Sequence, residues 1–189
     1  MLAQNNFKQG ISEADYLAGE KNAKTRHEYL DGKVIAMAGS SKRHNRITLN
    51  VVRALPISSP DGQVCEIYSS DMKVRAGKGR AYYYPDVVVS CAQDDADDYY
   101  LEQPCLIVEV TSKSTEWKDH NEKLLVYQSI ASLKTYLVIA QDKPYVTHFY
   151  REEQGDWWVR TYEAMNEVIS LPCPKGVELA LTVIYAGVE

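Results

Sequence analysis

The 189-residue chain is most informative at first for what it lacks. No apolar run approaches the roughly 18 residues that a membrane-crossing helix needs, so a helical membrane protein is excluded. Residues 1–10 are polar and without the apolar stretch of a secretory leader. They read as a flexible lead-in to a single domain over residues 11–189. There is no basic surplus. A net charge of −5 weighs against a general nucleic-acid binder, because phosphate neutralisation drives such affinity. It does not exclude a nuclease, whose carboxylates are offset by bound metal. The four cysteines, at 65, 91, 105 and 173, show no zinc-knuckle spacing. They lie mostly in or beside apolar runs and read as reduced core thiols of a cytoplasmic protein. Gly77-Lys-Gly-Arg80 lacks the spacing and following helix of a phosphate loop and reads as a hairpin turn. Asp94, Asp95, Asp97 and Asp98 lack the regular spacing of a calcium loop and read as a solvated stretch. No repeat, low-complexity tract or long linker divides the chain.

What is present is organised around two apolar runs that each carry one acid. They are Tyr84-Pro-Asp-Val-Val-Val-Ser90 and Cys105-Leu-Ile-Val-Glu-Val-Thr-Ser112, with Asp86 and Glu109 as the acids. Such runs read as strands buried on both faces, where an unpaired carboxylate costs several kcal/mol, roughly. Either each acid has an ion-pair partner, or the two together hold a hard divalent cation of the Mg or Mn type. Both readings stand on these residues alone.

The remaining patterning predicts a mixed α/β architecture. Ser12 caps a short helix to about Gly19, and Asp31-Gly32 marks a hairpin that places Glu28 at a strand start. Ser41 to Leu55 is a helix whose first turn crowds Lys42, Arg43, His44 and Arg46 against the macrodipole. A helix running to about Ile130 follows the Glu109 strand, with N-caps offered by Ser112-Lys-Ser-Thr115. It sets Lys123 and Tyr127 four residues apart on one face, and a strand at Leu133 to Ala140 completes a crossover. Hairpins on either side imply a mixed central sheet flanked by helices. Asp86, Glu109 and Lys123 then have the makings of a phosphodiesterase centre: carboxylates for a cation, and a lysine to orient water and stabilise charge.

Pro85-Asp86, Glu109-Val-Thr-Ser-x-Ser-Thr115 and Glu122-Lys123-x-x-x-Tyr127, in this order, resemble the Uma-type family of candidate restriction endonucleases in the PD-(D/E)XK nuclease superfamily. Glu28-Tyr-Leu-Asp-Gly32, His44 at a helix start, Ser70-Asp-Met-Lys-Val74 and Tyr136-Leu-Val-Ile139 extend the likeness over roughly residues 11 to 185. The resemblance implies a restriction-endonuclease-like core and a Mg- or Mn-dependent endonuclease acting on DNA, and it leaves room for a homodimer. It assigns Asp86, Glu109 and the Val110 carbonyl to the metal, Glu28 to an accessory role, and Lys123 to the catalytic lysine, with Tyr127 packed beside it. His44 becomes a DNA-contacting or structural residue. Two positions depart from the pattern. Thr111 stands where the superfamily often has lysine, and Lys113 stands where proline is usual, which makes Lys113 a second candidate base. A catalytically silent nuclease-fold module, or a small-molecule phosphoesterase on the same scaffold, are the competing expectations.

Overall fold

The computed structural model describes residues 10–188 apart from 59–61, 96, 114 and 153. It opens with α1 (Glu13–Glu20), capped by the Ser12 side chain, which accepts from the Asp15 N–H. The hairpin of β1 (His27–Leu30) and β2 (Lys33–Ala36) turns at Asp31 and Gly32, whose φ values of 47° and 84° are the left-handed pair such a turn requires. α2 (Lys42–Ala54) follows, and buries Ile47 and Val51. Next come β3 (Glu66–Ser69), β4 (Lys73–Ala76), β5 (Ala81–Tyr83), β6 (Val87–Ser90), the short β7 (Tyr100–Leu101) and β8 (Leu106–Thr111). The helical segment after β8 is α3 (Glu116–Lys118), a π turn over Asp119–Lys123, and α4 (Leu124–Tyr127). The chain ends with β9 (Thr135–Ala140), β10 (Val146–Arg151), β11 (Trp157–Tyr162), β12 (Val168–Leu171), β13 (Val177–Ala180) and α5 (Leu181–Ile184).

The fold is mixed α+β, as the patterning predicts. Its main sheet has six strands in the order β11-β10-β9-β8-β6-β3, with β8 and β9 parallel and the other pairs antiparallel. A second sheet of five strands runs β2-β1-β5-β4-β7, and β12 pairs with β13 alone. The stretch Tyr84–Ser90 is therefore not one strand. The chain leaves the five-stranded sheet after Tyr83 and enters the six-stranded sheet at Val87. Pro85 lies at the crossing, where its missing N–H interrupts no ladder.

The strands β6 and β8 are buried throughout. Val87, Val89, Leu106, Val108 and Val110 face one apolar cluster with α2 and the C-terminal hairpin, while Val88 and Ile107 face another with Tyr127 and Tyr136. The two-residue period puts Glu109 on the second face, with Ile107. A slip of one residue would turn that acid into the first cluster and several valines out of theirs. Each buried aliphatic is worth about 1.5–3 kcal/mol, so the register is strongly specified.

The helical segment after β8 starts at Glu116, directly after Thr115 of the expected capping stretch, and ends before Ile130, at Tyr127. The cysteines also differ from expectation. They are paired as Cys65–Cys91 and Cys105–Cys173 rather than reduced. The first pair follows from the ladder. Glu66 is opposite Ser90 in the antiparallel β3–β6 pair, so the next residues out are Cys65 and Cys91, with Cα atoms 4.1 Å apart. Cross-strand proximity of this kind leaves no trace in sequence spacing.

Candidate active site

Val87 is opposite Val108 in the antiparallel β6–β8 pair, and Asp86 and Glu109 lie one step beyond it. The Val110 N–H donates to Asp86 Oδ2 over 2.7 Å, fixing the carboxylate of the sheet crossing to the strand that carries Glu109. His44 Nε2, from the first turn of α2, also contacts this oxygen at 3.1 Å. The Asp86 and His44 side chains are 18% and 16% exposed, so the cluster meets solvent here, as it also does at Lys118.

Deeper in, the Lys123 ammonium lies among three carboxylates: Glu109 at 2.9 Å, Glu28 at 3.1 Å and Asp119 at 3.4 Å. Tyr127 donates its hydroxyl to Glu109 Oε1 over 3.1 Å. Glu28 comes from the five-stranded sheet, on β1, and also binds the Lys118 ammonium. Two sheets and one helical segment thus meet here. The face of Tyr83 closes the cluster, with the Lys123 and Lys118 nitrogens 5.4 Å and 5.6 Å from its ring centre.

The electrostatics follow from burial and from an excess of acid. Burial drives the Glu109 carboxyl well above its ordinary range; Lys123 opposes this, but Asp119, Asp86 and Glu28 reinforce it. Burial alone would lower Lys123, yet Glu109, Glu28 and Asp119 outweigh it and hold the lysine well above its ordinary value. Burial also pushes against ionised Glu28, and Lys123 and Lys118 win, so that its carboxyl is held low. Tyr127 is driven up by burial and by Glu109, and it remains a phenol donor. Lys123 is therefore a fixed ammonium and not a proton acceptor at neutral pH.

The structure brings Asp86, Glu109, Lys123, Glu28, Tyr127 and His44 into this one constellation. It does not bring Lys113 there. That side chain is 89% exposed, 3.9 Å from Asp142, beside a surface groove it shares with Trp117 and Lys143. Thr111, in the position where a lysine would be usual, shares a hydrogen bond with Thr115 Oγ1 over 2.9 Å. Sequence reasoning missed Asp119 and Lys118. Asp119 had a signal in its place four residues before Lys123. Lys118 had none, since its partner Glu28 is 90 residues away.

Asp86 at the sheet crossing, Glu109 on β8 and Lys123 in the π turn are thus gathered at one place, and the match to known proteins spans the same elements. The Uma2 family, described as "Putative restriction endonuclease", matches residues 13–183. The chain belongs to this family. Two uncharacterized proteins of Synechocystis sp. are similar along most of their length. One, slr1290, is 34% identical over 180 residues, covering 94% of this chain and 92% of its own. The other, sll1609, is 35% identical over 150 residues, covering 78% and 84%. The fold is shared with a crystal structure from Anabaena variabilis described as a putative nuclease belonging to DUF820. Its TM-score is 0.70 at 14% identity, covering 93% of this chain and 97% of that one. Uma2 membership and this shared fold give the chain a restriction-endonuclease-like architecture. Among the described residues no helix is long and apolar enough to cross a membrane.

Proposed function

We propose that this Uma2 protein is a divalent-metal-dependent endonuclease that hydrolyses DNA phosphodiester bonds, acting as one domain over residues 11–189. The observation that carries the reading is the charge imbalance of the constellation. Glu109, Glu28 and Asp119 converge on Lys123, Glu28 also meets Lys118, and Asp86 adds its charge beside Glu109, leaving carboxylate in excess. Hard oxygen donors with surplus negative charge suit Mg or Mn. Asp86, Glu109 and the Val110 carbonyl would hold the ion, with Glu28 as accessory acid. Such an ion, when bound, polarises the phosphate and lowers the pKa of water.

The chain's own groups supply the rest. The fixed charge of Lys123 stabilises negative charge developing on phosphate oxygens, and Glu28, Asp119 and Tyr127 keep the lysine and Glu109 in place. Asp86 sits at the solvent side, under His44. Lys42 and Arg46, exposed at the start of α2, offer contacts to the nucleic-acid backbone despite the acidic net charge. A homodimer, presenting two such sites to a duplex, and a cytoplasmic location belong to the same reading. A metal-supplemented cleavage assay on duplex and single-stranded DNA tests it, with Asp86→Ala as control. Cleavage by the wild type alone is expected, and cleavage undiminished in the variant would remove the assignment.

A second reading, a nuclease-fold binding module without catalysis, draws on the tightness of the Lys123–Glu109 pair, whose side chains are only 7% and 6% exposed. Calorimetric titration with Mn separates the two. Binding that the Asp86→Ala, Glu109→Ala variant loses favours the nuclease.

A further inference from the structure

The four cysteines come from four separate places in the chain and meet at one point. Cys65 precedes β3, Cys91 follows β6, Cys105 precedes β8 and Cys173 lies in the turn between β12 and β13. Their two disulfides are stacked against each other. Cys91 Sγ is 3.6 Å from Cys105 Sγ and 3.7 Å from Cys173 Sγ, although it is bonded to neither. These three sulfurs all lie within 4.8 Å of one another. Cys65, bonded to Cys91, completes the group. Cys65, Cys105 and Cys173 are nearly out of contact with water, at 1%, 7% and 9% exposure, and all four pack into the large apolar cluster.

A zinc ion held by four thiolates has Zn–S bonds of about 2.3 Å, so its sulfurs stand about 3.8 Å apart along each edge of the tetrahedron. The two non-bonded distances made by Cys91 are already close to that edge. Opening each disulfide lets its own two sulfurs separate toward the same value. No carboxylate or imidazole is needed to finish the set, and a thiophilic ion rather than Mg or Mn fits these donors.

We infer that the four cysteines form a tetrahedral zinc site when reduced, and that the paired disulfides are its metal-free, oxidised form. The site is built of Cys65, Cys91, Cys105 and Cys173. Two equivalents of a dithiol reductant convert the two disulfides to four thiols and are themselves oxidised to disulfides. One zinc ion then displaces four protons and leaves a centre of net charge −2. The centre lies at the opposite end of β6 and β8 from Asp86 and Glu109, separated from Glu109 by four residues of strand, about 13 Å. It is a structural clasp. It ties the edge strand β3 and its neighbours β6 and β8 to the C-terminal hairpin, and it is independent of the nuclease reading.

Cobalt(II) is the probe. The full chain, reduced with a non-chelating phosphine and titrated anaerobically, is expected to take one cobalt with a sulfur-to-cobalt charge-transfer band and the visible bands of tetrahedral geometry. Zinc should then displace it. Asp86→Ala should keep these bands, since oxygen ligands give no thiolate transition, and Cys91→Ser should lose the charge-transfer intensity in large part. Because Cys91→Ser can also disturb folding, a second measurement uses the wild type alone. Zinc should protect all four thiols of the reduced chain from alkylation, counted by mass spectrometry. The inference is overturned if the reduced chain shows no thiolate band, or if its thiols alkylate equally fast with and without zinc.

Discussion

Replacing Lys123 with methionine removes the ammonium from among three buried carboxylates while keeping most of the side chain's volume. Deleting one partner of a buried ion pair usually costs about 3–5 kcal/mol, because the remaining charge is left uncompensated. Two features of the site place this case at the lower end. Tyr127 still donates to Glu109, and Glu28 keeps its contact with Lys118. Glu109, already pushed up by burial, can also take up a proton. The expected loss is about 3 kcal/mol, which for a chain of this size lowers Tm by roughly 6–12 °C. The assay is thermal unfolding in EDTA and then in Mn. Manganese is expected to restore more stability to Lys123→Met than it adds to the wild type, because the cation replaces the lost charge. Adding Glu109→Gln to Lys123→Met should recover part of the loss in EDTA. A Lys123→Met protein as stable as the wild type in EDTA would refute the reasoning. It would mean that the carboxylates are neutral or relaxed into water and that the lysine holds nothing together.

Other perturbations have equally definite outcomes. Asp86→Asn keeps an oxygen for the Val110 N–H and removes a charge from an acid-rich cluster; its stability in EDTA should match or exceed the wild type, while cleavage and stabilisation by Mn are lost. His148, 2% exposed on β10 with no hydrogen-bond partner for either ring nitrogen among the described residues, is held down to about 4 from 6.5 by burial and by Arg160. The folded state therefore prefers neutral imidazole. Its contribution is intact above pH 6.5 and is lost as pH falls toward 4, about 2 kcal/mol by pH 5. Chemical denaturation of His148→Phe across this range should show a flatter pH profile than the wild type, and identical profiles would contradict the assignment. Lys42→Ala with Arg46→Ala should weaken DNA binding for all sequences alike and reduce the slope of log affinity against log salt by up to about 2. An unchanged slope would place the nucleic acid elsewhere.

Much of the constellation's placement was legible in the sequence because its acids interrupt apolar runs. A lone carboxylate amid valines and leucines has few physical explanations, and this singled out Asp86 and Glu109 as neighbours. Helical spacing put Lys123 and Tyr127 on one face, where both contact Glu109. Other features depend on contacts that span the chain. The change of sheet at Pro85 looked like one continuous strand, since burial is the same on either side of it. Lys118 reaches Glu28 across 90 residues. The cysteines meet through strand register and the C-terminal turn, which leaves their spacing irregular and free of any metal motif.

The π turn at Asp119–Lys123 sets the rotational phase of the whole basic set. In an ordinary α-helix, residues five apart are turned from each other by about 140°. A π turn closes its hydrogen bonds over five residues and brings such a pair back into line. Lys118 and Lys123 are five apart, and both reach Glu28. One extra residue in the winding therefore decides which cations face the acids. Shortening this segment by a single residue, at Asn121 for instance, would leave every charged side chain present and still swing one lysine out of the cluster. The lysine that serves this centre is then set by the count of residues after the Glu109 strand as much as by the presence of a lysine.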